Sequence, residues 1–438
     1  MKDGSEPRGT DGLVLWREPF RPFFMSAALI AMLMILPWLA DYLTSWHWDV
    51  PGGAVAWHMH EMVFGFGVAA AGGYLSTALA RWHGLAPLNG RLLGALWATW
   101  ATARAVALMP LAFPAPATLA LLVLPTALIA SRIIVIAFTQ ANRRHAVFGW
   151  VWLALVVTQA AFVSVWLDLA PASWVDAMVE PVAQAGLISP LRWLAEIGLT
   201  LLVLIHSATI SRVIRMLGPE ALALSNSARP FRFDPARARL TTVTLALFIA
   251  ALAFMPGSAA AGWLALAAAA AQIDRLRLIW IGRAAKHSFV HGLYLAKLFL
   301  IVALALFAAA RLLNLPWMDA AWHAGAAGTL AVGCLTMFGM VSRRHSRGSM
   351  PLPRPATLAI WLAAAGALIR TAAPAAWENG FGTAPYWLAA ALWSGAFAVF
   401  VIGHLRPVVW AKQAFGPEPH QGHAHPHTHG GPGAHTAS

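Results

Sequence analysis

Twelve apolar runs of about 20 residues dominate this chain, and runs of that length leave little choice of fold. They lie near 22–41, 55–80, 91–110, 117–137, 146–168, 192–217, 240–256, 258–281, 289–310, 320–341, 355–373 and 384–404. Wound as α-helix, at about 1.5 Å per residue, each crosses a hydrocarbon layer about 30 Å thick. The shortest separator is the Met255-Pro256-Gly257-Ser258 turn between the seventh and eighth runs. Of 438 residues, 59% are hydrophobic and only 11% charged. A soluble domain carries about 25% charged residues, so this much apolar surface needs lipid rather than water as its partner. The expected fold class is all-α, a polytopic membrane helical bundle with about 12 transmembrane helices across 1–412. The 22 Trp suit interfacial belts, and the 28 Pro mark segment ends and kinks.

The polar residues between the runs set an orientation. With the N-terminus inside, twenty-five of the 30 Lys and Arg fall on one side. The five left over are Arg104, Arg192, Lys297, Arg311 and Arg370. This asymmetry predicts a multi-pass protein of a bacterial inner membrane with both termini cytoplasmic. It also explains the net charge of +13 without invoking nucleic acid, because the charges sit in alternate loops. The polar start MKDGSEPRGTDG reads as no cleavable signal, with the first apolar run as an uncleaved anchor. The single cysteine, Cys334, offers neither a disulfide framework nor a thiolate metal site. From 413 to 438 the composition turns to Gly, Pro and His, with His423, His425, His427 and His429 at alternate positions; this predicts a disordered His-rich cytoplasmic tail.

Chemistry enters at Ala56-Trp57-His58-Met59-His60-Glu61-Met62, which opens the second run from the periplasmic side. Two imidazoles and a carboxylate at the edge of a bilayer core are costly and point to function. In a regular helix, His58 and Glu61 share a face and His60 looks elsewhere. The carboxylate is suited to orienting a ligand histidine, and Gly65, Gly67, Gly72 and Gly73 admit a close neighbour. Residues 321–323 repeat Ala-Trp-His at the same depth, which pairs His323 with His58 as two ligands of one centre. On the cytoplasmic side, His287 and His291 have the i,i+4 spacing that presents two imidazoles to a metal, and His345 can join them. Neutral imidazole suits iron, copper or zinc. A structural alternative stands beside each of these: an interfacial histidine satisfied by water or headgroups.

Four stretches together resemble the NnrS family. They are Arg17-Glu18-Pro19-Phe20-Arg21-Pro22-Phe23-Phe24; Trp57-His58-Met59-His60-Glu61-Met62-Val63-Phe64-Gly65-Phe66; Val290-His291-Gly292-Leu293-Tyr294; and His323 with Met340-Val341-Ser342-Arg343 and His345-Ser346-Arg347-Gly348. The resemblance implies a twelve-helix membrane protein that binds haem b and copper and is linked to nitric oxide, denitrification and nitrosative stress. It implies His58, His60, His291, His323 and His345 as candidate ligands, with nitric oxide as the small-molecule ligand. The chain departs from the family pattern at Ile210-Ser211-Arg212-Val213-Ile214-Arg215, and His287 matches no family histidine. Two alternatives from other classes are a proton-coupled secondary transporter using Glu61, Lys297 and Arg370, and a metal-handling membrane protein without haem. Terminal-oxidase-type catalysis is disfavoured because the chain has no adjacent His-His pair.

Overall fold

The computed structural model describes residues 11–47, 49–50, 53–108, 113–139, 145–176, 189–346 and 350–412. The His-rich tail predicted for 413–438 lies outside these residues. Twelve long helices follow one another: α1 Phe20–Leu43, α2 Gly53–Trp82, α3 Gly90–Leu108, α4 Ala115–Thr139, α5 Ala146–Trp166, α6 Pro190–Leu224, α7 Pro235–Phe254, α8 Ala259–Leu278, α9 Ser288–Leu312, α10 Met318–His345, α11 Arg354–Phe381 and α12 Ala384–Val409. Each overlies one of the twelve predicted runs. Ten are long and apolar enough to cross a membrane by length and composition. The other two, α3 and α8, have 19 and 20 residues but carry inward-facing polar groups that dilute their hydropathy: Arg104 on α3, Gln272 and Arg275 on α8. The chain is therefore an all-α, multi-pass membrane protein.

Local chemistry explains where several helices begin. Ser189 caps α6 by accepting from the Arg192 N–H, with Pro190 at the first helical position. Asp234 caps α7 in the same way ahead of Pro235, and Ser258 caps α8 by accepting from the Ala260 N–H at 2.9 Å. A short polar side chain followed by proline satisfies a free N–H and presets φ.

Three helices form the centre. The apolar windows of α2, α6 and α10 are 78%, 89% and 83% buried, whereas the other spanning windows range from 33% to 56%. The outer helices show lipid-facing side chains such as Leu33, Val135, Val157 and Val302. The inner ones bury polar residues that no lipid-facing helix could carry.

Both α2 and α10 change pitch part-way. Glu61–Gly67 and Ala324–Val332 are π-helical, and each follows directly on an Ala-Trp-His stretch or its neighbouring His60. Glycines in and beside these wide turns let α6 approach: a Cβ on Gly67 would overlap Leu202, and one on Gly333 would overlap the His206 ring. π-turns inside α-helices mark functional positions more often than plain scaffold.

The two ends of the chain meet. Asp11–Leu13 pairs antiparallel with Trp410–Lys412, and the Val14 N–H donates to the Val409 carbonyl at 2.9 Å. Both ends therefore lie on one face, as an even number of crossings requires.

Candidate functional site

On the face opposite the chain ends, His58 of α2 stacks on Trp38 of α1, with ring centroids 3.9 Å apart and planes 16° apart. Its Nδ1 is buried and has no hydrogen-bond partner. Asp319, His323 and Arg370 lie close enough to act on it electrostatically. His323 directs Nδ1 at Asp319, 2.9 Å from the carbonyl oxygen and 3.3 Å from the carboxylate. Arg370 of α11 holds that carboxylate at 3.0 Å and lies over the Tyr386 ring. An imidazole whose Nδ1–H is given to a main-chain carbonyl, with a carboxylate beside it, presents the Nε2 lone pair, an orientation that suits a metal-ligating histidine. The two histidines of the repeated Ala-Trp-His are thus near enough to act on each other electrostatically.

His60 stands in a different environment. Its Nδ1 meets Glu61 Oε1 at 2.9 Å, and its Nε2 meets the Gln159 amide nitrogen at 3.3 Å. Phe64, Phe162 and Trp166 enclose the ring, and it is 0% exposed. Glu61 is also paired with Arg104 at 2.8 Å. The expectation that Glu61 shares a face with His58 is corrected here. The helix widens from Glu61 onward, and the two adjacent side chains His60 and Glu61 close on each other. Gly65 makes this possible, since a Cβ there would collide with the Arg104 guanidinium.

On the face of the chain ends, the Glu18 carboxylate receives His345 Nδ1 at 2.8 Å and also pairs with Arg81. Burial pushes the Glu18 carboxyl up, but the hydrogen bonds and charges of His345 and Arg81 outweigh it and hold the group below its usual range. Thr77 caps the Phe20 N–H at 3.1 Å, and Arg21 donates to the Val408 carbonyl at 3.0 Å. The Arg-Glu-Pro-Phe-Arg-Pro-Phe-Phe stretch is therefore a clamp joining α1, α2, α10 and the end of α12. His287 does not share a helix face with His291. It is the N-cap of α9, with extended backbone, and its Nε2 meets Ser225 Oγ at 2.9 Å. His291 lies inside α9 beside the Trp361 ring, and its Nε2 is buried without a partner.

Between the faces, Lys297 is 1% exposed and does not snorkel; its Nζ donates to Ser207 Oγ at 3.1 Å and Gln272 Oε1 at 2.7 Å. His206, next to Ser207 on α6, buries an unpartnered Nε2. Among the described residues, no group of three His, Cys, Asp or Glu side chains is arranged to hold a metal ion.

A model of the NnrS protein family matches residues 14–412. The chain belongs to the NnrS family. Among curated proteins, none matches it. For this NnrS member the geometry sorts the candidate histidines. His58 and His291 keep a free buried nitrogen, and His323 is oriented by Asp319. His60, His287 and His345 each engage a protein partner.

Sequence reasoning passed over Asp319, although its i,i+4 spacing to His323 was a readable signal. Of the five off-side cations, it gave a role only to Lys297 and Arg370. Arg104, Arg192 and Arg370 each pair with an acid, Glu61, Glu196 and Asp319. They balance carboxylates, of which Glu61 and Glu196 are buried and Asp319 is half-exposed.

Proposed function

We propose that this NnrS protein is a haem- and copper-containing protein of the bacterial inner membrane that acts in nitric oxide metabolism or nitrosative-stress resistance. Family membership supports the nitric oxide role in general terms. The observation that carries the cofactor assignment is the unpartnered Nδ1 of His58 beside an Asp319-oriented His323. Burying an imidazole nitrogen unpaired costs about 1–3 kcal/mol, a cost a metal ligand removes. His58 and His323 are the residues we assign to hold haem, and His291 is the candidate for copper on the opposite face.

Haem, when bound, supplies an iron able to take a diatomic ligand. The chain's own contribution is orientation and exclusion of water. Asp319 and Arg370 fix the His323 ring, Trp38 covers one face of His58, and the Glu61–Arg104 pair holds α2 to α3. A small apolar cavity of about 40 Å³, lined by Phe66, Leu202, Leu330, Met337 and Phe338 beside His206, lies among the inner helices. That is room for about one water-sized molecule. Nitric oxide is small and apolar and concentrates in lipid, so an interior reached from the bilayer suits it.

The test is the visible spectrum of His58→Ala and His323→Ala proteins purified from haem-replete cells. Each is expected to lose bound haem or shift its Soret band. Two spectra unchanged from wild type remove these histidines from the ligand set. The transporter alternative draws on Lys297, whose partners Ser207 and Gln272 are neutral. It predicts a haem-free protein whose proton-coupled uptake is abolished by Lys297→Met.

A further inference from the structure

A pocket stands apart from all of these sites. It opens on the face of the chain ends, where α2, α5 and α6 meet. It has a volume of about 590 Å³, with Tyr74, Trp82, His83, His145, Arg212 and Met216 in its wall. His83 and His145 are 62 positions apart and are brought to 2.7 Å from each other, Nε2 to Nδ1. Arg212 NH1 meets His145 Nε2 at 2.5 Å. The guanidinium lies over Trp82 at 5.0 Å and Phe148 at 5.7 Å from the ring centroids.

The hydrogen bonds fix the direction of this chain. A guanidinium only donates, so His145 Nε2 accepts and the His145 proton sits on Nδ1. That Nδ1–H donates to His83 Nε2, which places the His83 proton on its own Nδ1. The series Arg212, His145, His83 therefore ends in an N–H, not in a lone pair. Such a wall is unsuited to a metal cation. It suits an acceptor with negative charge, and among the described residues no Asp or Glu lines the pocket.

Size and depth narrow the ligand. Tyr74 and Trp82 are eight residues apart on α2, about 12 Å along the axis. The pocket thus runs from the polar face, where Met216 is exposed, toward Tyr74 in the apolar depth. Its volume is many times that of a bare oxyanion. We propose that this pocket binds a phosphate oxyanion carried by an acidic membrane lipid, the phosphate at His83 and Arg212 and the apolar part toward Tyr74.

The experiment uses the full chain, delipidated in detergent and followed by native mass spectrometry. Phosphatidylglycerol, phosphatidylcholine and inorganic phosphate are added separately. Wild type is expected to retain one phosphatidylglycerol in preference to phosphatidylcholine. Arg212→Gln and His83→Phe are expected to weaken that retention about tenfold, whereas Arg215→Gln, which removes a neighbouring arginine outside the pocket wall, leaves it unchanged. Inorganic phosphate bound by wild type and lost in both pocket variants supports the same oxyanion site with a free source. Equal retention of both lipids with no phosphate binding overturns the proposal, as does wild-type retention in both pocket variants. Thermal unfolding of each variant reports folding, and if Arg212→Gln fails to fold, His83→Phe decides.

Discussion

Three imidazole nitrogens, His58 Nδ1, His206 Nε2 and His291 Nε2, are buried without a partner among the described residues. By contrast, His60 and His345 are pinned by carboxylates, Glu61 and Glu18. His345, like His323, gives Nδ1 to its partner, and the Glu18–His345 pair has a pH signature. Its carboxyl is held below the ordinary value of 4.5 in the folded protein. A depressed carboxyl contributes stability that is fully present above the ordinary range and is lost as pH falls through the folded value. Between pH 6 and pH 3, wild-type melting temperature should therefore fall more steeply than that of Glu18→Gln. At neutral pH the variant should be less stable by about 1.5–3 kcal/mol, the worth of a hydrogen bond to a charged group. Parallel melting curves across that pH range would show that Glu18 contributes no linkage.

At the scale of elements, the two pitch changes in α2 and α10 set the interior. Each widens a helix just after a histidine-bearing stretch, and each leaves glycines where α6 packs. Gly333 is the sharpest case, because the His206 ring occupies the place of its absent Cβ. Gly333→Ala should destabilise the protein by about 1–3 kcal/mol through overpacking. Adding His206→Ala should recover most of that loss, since the colliding ring is gone. The measurement is a double-mutant cycle of thermal stability; simple additivity of the two changes would separate Gly333 from His206. Helix positions were legible in the sequence because lipid imposes run length. The pitch changes were not legible, since π- and α-turns share the same apolar composition. That is why Glu61 was expected beside His58 and is found bonded to His60.

At the scale of the whole molecule, among the described residues an inner trio, α2, α6 and α10, is the most buried part of the bundle, and the outer helices expose apolar side chains to lipid. Hydropathy located the twelve helices but could not rank them by depth in the bundle, because ranking depends on packing between distant segments. The same limit hid the His83–His145–Arg212 series, whose members come from three helices and share no local pattern. The pairing of Asp11–Leu13 with Trp410–Lys412 holds both ends on one face. Reporter fusions at the two termini should accordingly read the same side of the membrane, and opposite readings would contradict the twelve-crossing arrangement. The central claim is the cofactor, and purified wild-type protein tests it most directly, by visible absorption with iron and copper analysis on material from haem-replete cells. The account predicts a Soret band with stoichiometric iron, lost or shifted on His58→Ala; a colourless, iron-free protein would contradict it.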